Sequence, residues 1–548
     1  MIDLHPKHFE TVQHILAKHV PGCEVRAFGS RVKWTAKDYS DLDLAVVGSK
    51  PLTLRQGYQL AEAFEESDLP IRVDVLDWHT ISEEFKRIIA AEYEVIQVAE
   101  TVKANEDSVT TLKNSSRKNK RWNLVKLGDV VTINPQRKLT KTKEAFHVAM
   151  RDIEVFTREI TSHSFKEFRG SGARFQNGDT LLARITPCLE NGKTVYVDCL
   201  KPNQIGHGST EFIVLSGIED KTDNLFVYYL ARDPSLRTFA IHSMQGSTGR
   251  QRVMADSLRS FELTLPPIEG QRRIAHILGT LDDKIKLNQQ MNETLEATAR
   301  AIFKSWFVDF DPVKAKKEGR KPPFMDTETA ALFPSVLQNS PLGKVPEGWK
   351  VVPLPEVMEV NPRRVLKKGS IAPYLPMQNL PIQEHRPYEW MDREFSSGTK
   401  FMNGDTLLAK ITPCLENGKT GFVDFLDKGQ VGWGSTEYIV LRPKPPLPVE
   451  FGYYLARSDD LRVFAIHNMM GSTGRQRVPA SCFDYYQISV PTPPIAQRFG
   501  EIVKPFMKKI KENNEQSHTL AQTRDTLLPK LLSGEICVED ASEMLEET

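Results

Sequence analysis

Cysteine is scarce in this chain. The six present (Cys23, Cys188, Cys199, Cys414, Cys482 and Cys537) form no C-x-x-C pair. That argues against a zinc cage and fits a reduced cytosol. No apolar run approaches the roughly 20 residues that a bilayer span needs. The opening stretch, MIDLHPKHFETVQHIL, carries acidic residues and lacks an export-signal pattern, so a cytoplasmic protein is expected. Charge excess is also missing: 72 Lys and Arg against 71 Asp and Glu leave a formal +1. A nucleic-acid partner is not excluded by this, because the electrostatic footprint is a local patch. The chain has no G-x-x-x-x-G-K-[ST] loop for ATP. It also has no N/D-P-P-Y/F motif for amino methylation, and Phe310-Asp311-Pro312-Val313 is only a partial lookalike.

What is present is mostly a repeat. At 548 residues the chain has room for three or four domains. Residues 175–198, FQNGDTLLARITPCLENGKTVYVD, match 401–424, FMNGDTLLAKITPCLENGKTGFVD, at 20 of 24 positions. GHGSTEFIVL (206–215) matches GWGSTEYIVL (432–441), and YYLARDPSLRTFAIHSMQGSTGRQRV (228–253) matches YYLARSDDLRVFAIHNMMGSTGRQRV (453–478). A period this long means two duplicated domains rather than a solenoid. Each copy reads as β-rich strands broken by Gly turns, then one helix, then a glycine loop with paired arginines.

A long heptad-patterned helix follows each copy. Ile274, Leu281, Asn288, Leu295 and Ile302 recur every seven residues in the first; Phe499, Phe506, Asn513, Leu520 and Leu527 do so in the second. Such repeats predict a coiled-coil seam. Asn288 and Asn513 fall at corresponding points, either buried to fix register or facing solvent. Pro505 is expected to kink the second helix or to mark its true start. Antiparallel pairing would set two equivalent heads at opposite ends of a rod. A 30-residue helix is about 45 Å long, comparable with one ~34–36 Å turn of DNA.

The loop GSTGRQRV offers amides, hydroxyls and arginines, a set suited to phosphate contact, and arginine also reads guanine. Arg250, Arg252, Arg475 and Arg477 are the leading candidate DNA contacts, followed by Arg184, Lys193, Lys410 and Lys419. The alternative is that these residues hold the shared fold through salt bridges. Basic runs at 113–121 and 314–321 read either as DNA-facing or as solvated linker. Segments 136–172 and 362–398 align poorly within a kept frame, and His207 faces Trp433 in an otherwise shared turn. Two readers of different half-sites would need that pattern.

Residues 122–545 resemble the specificity subunit of type I restriction–modification systems. The doubled heads carry the likeness, as do ARAIFKSWFVDFDPVKAKKEGRKPP (299–323) and LFPSVLQNSPLGKVPEGWKVVPL (332–354). The resemblance implies a reader of double-stranded DNA that sits with two modification subunits, which use S-adenosylmethionine to methylate adenine. Restriction subunits would join for ATP-dependent translocation and cleavage.

The first hundred residues differ from the rest. Phe28-Gly29-Ser30-Arg31 precedes Asp41-Leu42-Asp43-Leu44 in a G-S-x10-D-x-D spacing, and Asp74 lies in the apolar run Arg72–Leu76. In a strand, Asp41 and Asp43 share a face and can hold Mg²⁺, with Asp74 completing a clamp or acting as base. Gly29 and Ser30 can hold a triphosphate, and Arg31 can offset its charge. This region resembles a minimal polymerase-β-type nucleotidyltransferase of the antitoxin-like kind. The resemblance implies NTP and Mg²⁺ as cofactors, with Gly29, Ser30, Asp41, Asp43 and Asp74 as site residues.

The expected class is therefore α+β and multidomain. A small α/β nucleotidyltransferase domain (1–105) and a basic linker (106–121) precede two duplicated α/β target-recognition domains (122–265 and 349–492). A spacer helix (266–310) and a linker (311–348) separate the heads. A second helix (493–535) and a tail (536–548) follow, the two helices pairing as an antiparallel coiled coil. The alternative reading is a nucleotidyltransferase enzyme that its C-terminal part targets to DNA or to a partner.

Overall fold

Alternating apolar residues place the first acidic strands in a sheet. In the computed structural model, Glu24–Phe28 (β1), Leu42–Val47 (β2), Val73–Asp77 (β3) and Glu94–Gln97 (β4) form one sheet in the order β3-β2-β1-β4. β2 runs antiparallel to β1 and parallel to β3. Buried Val25, Ala27, Leu42, Leu44 and Val46 form its core with Val12 and Leu16 of α1 (Pro6–His19). The structure describes residues 2–33, 40–48, 52, 60, 63–64, 67, 69–79, 81, 83–98, 122–247, 249–387, 389–472 and 474–546. The expected basic linker, with its run at 113–121, lies outside them.

The chain divides into two units, residues 1–280 with 524–548, and residues 281–523. The first unit holds the N-terminal sheet and the first head. That head has two four-stranded sheets. One orders Thr194–Tyr196, Thr180–Ala183, Phe212–Gly217 and Val131–Ile133; the other orders Ser164–Glu167, Glu144–Val148, Gly206–Gly208 and Ala173–Phe175. Leu181, Val195, Phe212 and Val214 join Phe146, Val148 and Phe175 in a core between them.

The second head, in the second unit, repeats the topology strand for strand. Its sheets order Met358–Val360, Tyr438–Pro443, Thr406–Ala409 and Thr420–Phe422, and Met391–Glu394, Ile371–Leu375, Gly432–Gly434 and Thr399–Phe401. The single helix expected in each head is two. Asn224–Arg232 stops at Asp233, whose carboxylate caps Pro234–His242 by accepting from the Ser235 amide. Val449–Arg457 stops at Ser458, which caps Asp459–His467. A capping side chain competes with helix continuation, and Pro at the first helical position needs no N–H partner.

The long helices run Ile268–Phe307 and Pro493–Ser533. The second continues through Pro505, so the expected later start is corrected. Helix burial there outweighs one lost amide: Val503, Met507 and Ile510 around the proline are buried. Within the second unit the two helices pair antiparallel. Phe303 meets Phe499 at 5.8 Å between ring centres. Further along the same seam, Asn288 Nδ2 lies 3.3 Å from the Asn513 carbonyl, 3.0 Å from Gln516 Oε1 and 3.2 Å from Ser517 Oγ. Asn513 donates in turn to Asn292 Oδ1 at 2.8 Å. Both Asn288 and Asn513 are buried, as a registering pair requires and a solvent-facing one does not.

The expected linker 311–348 is folded. Helices Asp311–Lys317 and Thr327–Leu332 and a hairpin of Leu337–Ser340 with Gly343–Pro346 fill it. Val313, Phe333 and Trp349 join Trp306 and Phe307 in the largest core of the second unit. In the basic run, Lys316 is engaged by the carbonyls of Ala330 and Phe333, so this lysine caps a turn instead of facing solvent. The expected tail holds a helix, Val538–Glu546.

Candidate functional site

Each head carries a hairpin tip built on the G-S-T-G-R-Q-R-V loop. In the first, Met244–Gln245 pairs with Arg252–Val253, and the chain turns through Gly246 and Gly249 at φ +128° and +81°. The second head repeats this with a Met470–Arg477 bridge. Arg250 and Arg475 are exposed at the two tips. Neither guanidinium has a partner among the described residues.

Arg252 and Arg477 are placed differently. Arg252 Nε lies 3.0 and 2.9 Å from the two Glu211 carboxylate oxygens. Arg477 Nε lies 2.8 and 3.0 Å from those of Glu437. These forks neutralise both charges and tie each hairpin to its head, as the salt-bridge alternative required. Lys410 stands 3.9 Å from the same Glu437 carboxylate. Arg184 reaches Met254 Sδ at 3.5 Å while its Nε is buried without a hydrogen-bond partner.

Lys193 and Lys419 pin the divergent segments to the frame. Lys193 Nζ donates to the Met150 carbonyl at 3.0 Å. Lys419 Nζ donates to the carbonyls of Met377 and Gln378 at 2.8 and 2.9 Å. Their ammonium groups are thus engaged within the heads, which leaves Arg250 and Arg475 as the freest cations of the candidate set.

In the N-terminal sheet, β2 and β3 lie side by side so that Asp43 and Asp74 are register partners. Asp41 immediately precedes β2. Burial pushes the Asp43 carboxyl up to about 6, and the charges of Asp74 and Asp41 push the same way. Gly29 takes φ +82°, and a Cβ there would lie 2.3 Å from Asp43 Oδ2. Only glycine lets the turn come this close. Asp74 Oδ1 is 2.9 Å from Arg72 Nε. Among the described residues no three acidic, His or Cys groups are gathered as a metal cluster. The donors are nevertheless all oxygen and mutually repelling, a set that suits a hard divalent cation. Arg31 is buried, and it donates to the carbonyls of Asp3 (2.7 Å) and Ser40 (3.0 and 2.6 Å).

Residues 119–297 match the family described as "Type I restriction modification DNA specificity domain", and residues 10–101 match "Polymerase beta, Nucleotidyltransferase". The type I restriction enzyme HindI specificity subunit of Haemophilus influenzae is 24% identical over 470 residues, covering 76% of this chain and 99% of that protein. The MjaIX specificity subunit of Methanocaldococcus jannaschii is 25% identical over 401 residues, covering 70% and 83%. The probable protein adenylyltransferase MntA of Haemophilus influenzae is 52% identical over 99 residues, covering 18% of this chain and 87% of that protein. The chain therefore carries a type I restriction–modification DNA specificity domain over residues 119–297. A nucleotidyltransferase-like domain precedes the specificity portion.

Sequence reasoning missed the acids that organise the heads. Asp179 is buried and accepts from Arg137 Nε at 2.9 Å. Asp405 is buried and accepts from Arg364 Nη2 at 3.0 Å and Arg442 Nη1 at 2.7 Å. Their signal is present, since N-G-D is identical in both copies. Among the described residues no helix is long and apolar enough to cross a membrane.

Proposed function

We propose that this chain reads a bipartite site in double-stranded DNA, one half-site per head, in the cytoplasm. It would direct adenine methylation by two modification subunits that use S-adenosylmethionine, and cleavage by ATP-driven restriction subunits. The observation that carries this reading is the pair of like frames, each presenting one free arginine at a glycine-hinged tip. Arg250 and Arg475 would take DNA phosphate or guanine, with Arg184 and Lys410 beside them. Genome-wide mapping of methylated adenine with and without this gene is the test. Loss of one bipartite motif is expected; an unchanged map overturns the reading.

The proximity of Gly29, Asp43 and Asp74 favours a second activity. The N-terminal domain would transfer a nucleotide from an NTP to an acceptor. Asp41, Asp43 and Asp74 would hold Mg²⁺, which supplies charge neutralisation at the phosphates, and Gly29 and Ser30 would seat the triphosphate. Incubation with labelled ATP and candidate proteins tests this, with Asp43→Asn as the control. Label transfer that survives in the variant, or its absence from the wild-type chain, overturns the assignment.

A further inference from the structure

The two heads differ in chemistry at a cleft of about 500 Å³ in the first head. It is lined by the hairpin of Glu144–Val148 with Ser164–Glu167 and by the strand Gly206–Gly208. Its floor holds His147 and His207, with ring centres 4.8 Å apart. His207 Nε2 lies 3.1 Å from the Lys166 carbonyl. A carbonyl only accepts, so Nε2 carries the proton. At the mouth, Glu144 and Glu167 are direct cross-strand partners, and both are exposed. Among the described residues neither makes an ion pair, and nor do Lys166 and Arg169 at the same cleft. Like charges directly opposite each other on a sheet are destabilising, so this pair costs the free head stability.

The second head is built otherwise at the equivalent positions. Ile371 pairs with Glu394 where Glu144 pairs with Glu167. Tyr374 and Trp433 replace the two histidines, with ring centres 4.4 Å apart. Trp433 is buried and also packs on Phe395.

We infer that Glu144 and Glu167 are specificity-determining residues of the first head and accept the exocyclic amino group of a cytosine. A two-stranded ribbon fits the major groove, and a glutamate there accepts from cytosine N4. The one N4–H that base pairing leaves free in the major groove can be accepted by either carboxylate, and it offsets their repulsion in part. Lys166 and Arg169 supply the cations that let carboxylates approach a phosphate-lined groove. Ile371 removes one of the two acceptors in the second head, so the half-sites differ at this position.

This inference rests on the DNA reading proposed above, and one experiment separates the two. The full chain and its Glu144→Gln/Glu167→Gln variant each select duplexes from a randomised pool, and the bound sequences are read. Glutamine is nearly isosteric and both sites are exposed; the single variant Glu144→Gln serves if the double variant does not fold. The wild-type chain is expected to enrich a bipartite motif. The variant should lose cytosine preference about ten-fold at one position of one half-site, with the other half-site unchanged. If the wild type enriches no motif, the DNA reading itself falls. If it enriches a motif that the variant retains in both halves, or loses in both, the assignment of Glu144 and Glu167 is overturned.

Discussion

Arg252 lies across the carboxylate of Glu211, and Arg477 lies across Glu437 in the same way. The hydrogen bond from Arg252 holds the Glu211 carboxyl below its ordinary value of 4.5. A depressed carboxyl stabilises the fold above its unfolded value, and that contribution is lost as pH falls through the lowered one. Arg252→Met should therefore reduce the melting temperature of the chain modestly at pH 7. The gap to wild type should close as the scan moves below the ordinary value of 4.5 into the acid range. A gap that persists unchanged at acid pH would remove the ion pair as its cause.

Arg250 and Arg475 should behave differently, because their guanidiniums are exposed and make no ion pair among the described residues. Each Arg→Ala change is expected to weaken DNA binding and to lower the salt slope by about one, with the melting temperature unchanged. Lys193→Met is the contrast. Its ammonium is engaged by the Met150 carbonyl, so the variant should lose stability while the salt slope stays. Titrations at several salt concentrations separate the two classes.

The repeat, the strands and the heptad helices were legible in the sequence because they are local and periodic. Asn288 and Asn513 stood out as polar residues in an apolar seam, but only packing decided whether they met. Lys193 and Arg252 are candidate DNA contacts because both sit in polar, glycine-rich turns. Their partners, Met150 and Glu211, lie 43 and 41 residues away, beyond the reach of spacing arguments. Pro505 does not mark the start of its helix because the local rule is set against the burial of a long apolar face.

The asparagine layer gives a third prediction. Asn288→Ala leaves Gln516 Oε1 and Ser517 Oγ without the donor they now share. Gln516 is exposed and can turn to water, so the cost is that of the lost side-chain hydrogen bonds, on the order of 1 kcal/mol. The denaturant midpoint should fall accordingly, while Thr294→Ala on the exposed face of the same helix should leave it nearly unchanged. Equal shifts in the two variants would mean that the layer contributes no more than an ordinary surface position.

The acidic sheet supplies the last prediction, which sets stability against activity. Asp43 is partly buried beside Asp74, and burial and like charge both disfavour its ionised form. Replacing it with asparagine removes that charge while keeping the shape. Asp43→Asn should stabilise the chain by on the order of 1 kcal/mol at neutral pH, after discounting for partial exposure. Label transfer from ATP should be lost in the same variant. Gly29→Ala should also lose transfer, but with destabilisation, because its Cβ would meet Asp43 Oδ2 at 2.3 Å on a left-handed backbone. Melting curves and transfer assays on the same preparations read both effects. An Asp43→Asn chain that is less stable than wild type would show that the carboxylate is a structural anchor, and the placing of Asp43 in a nucleotide-transfer site would lose its physical basis.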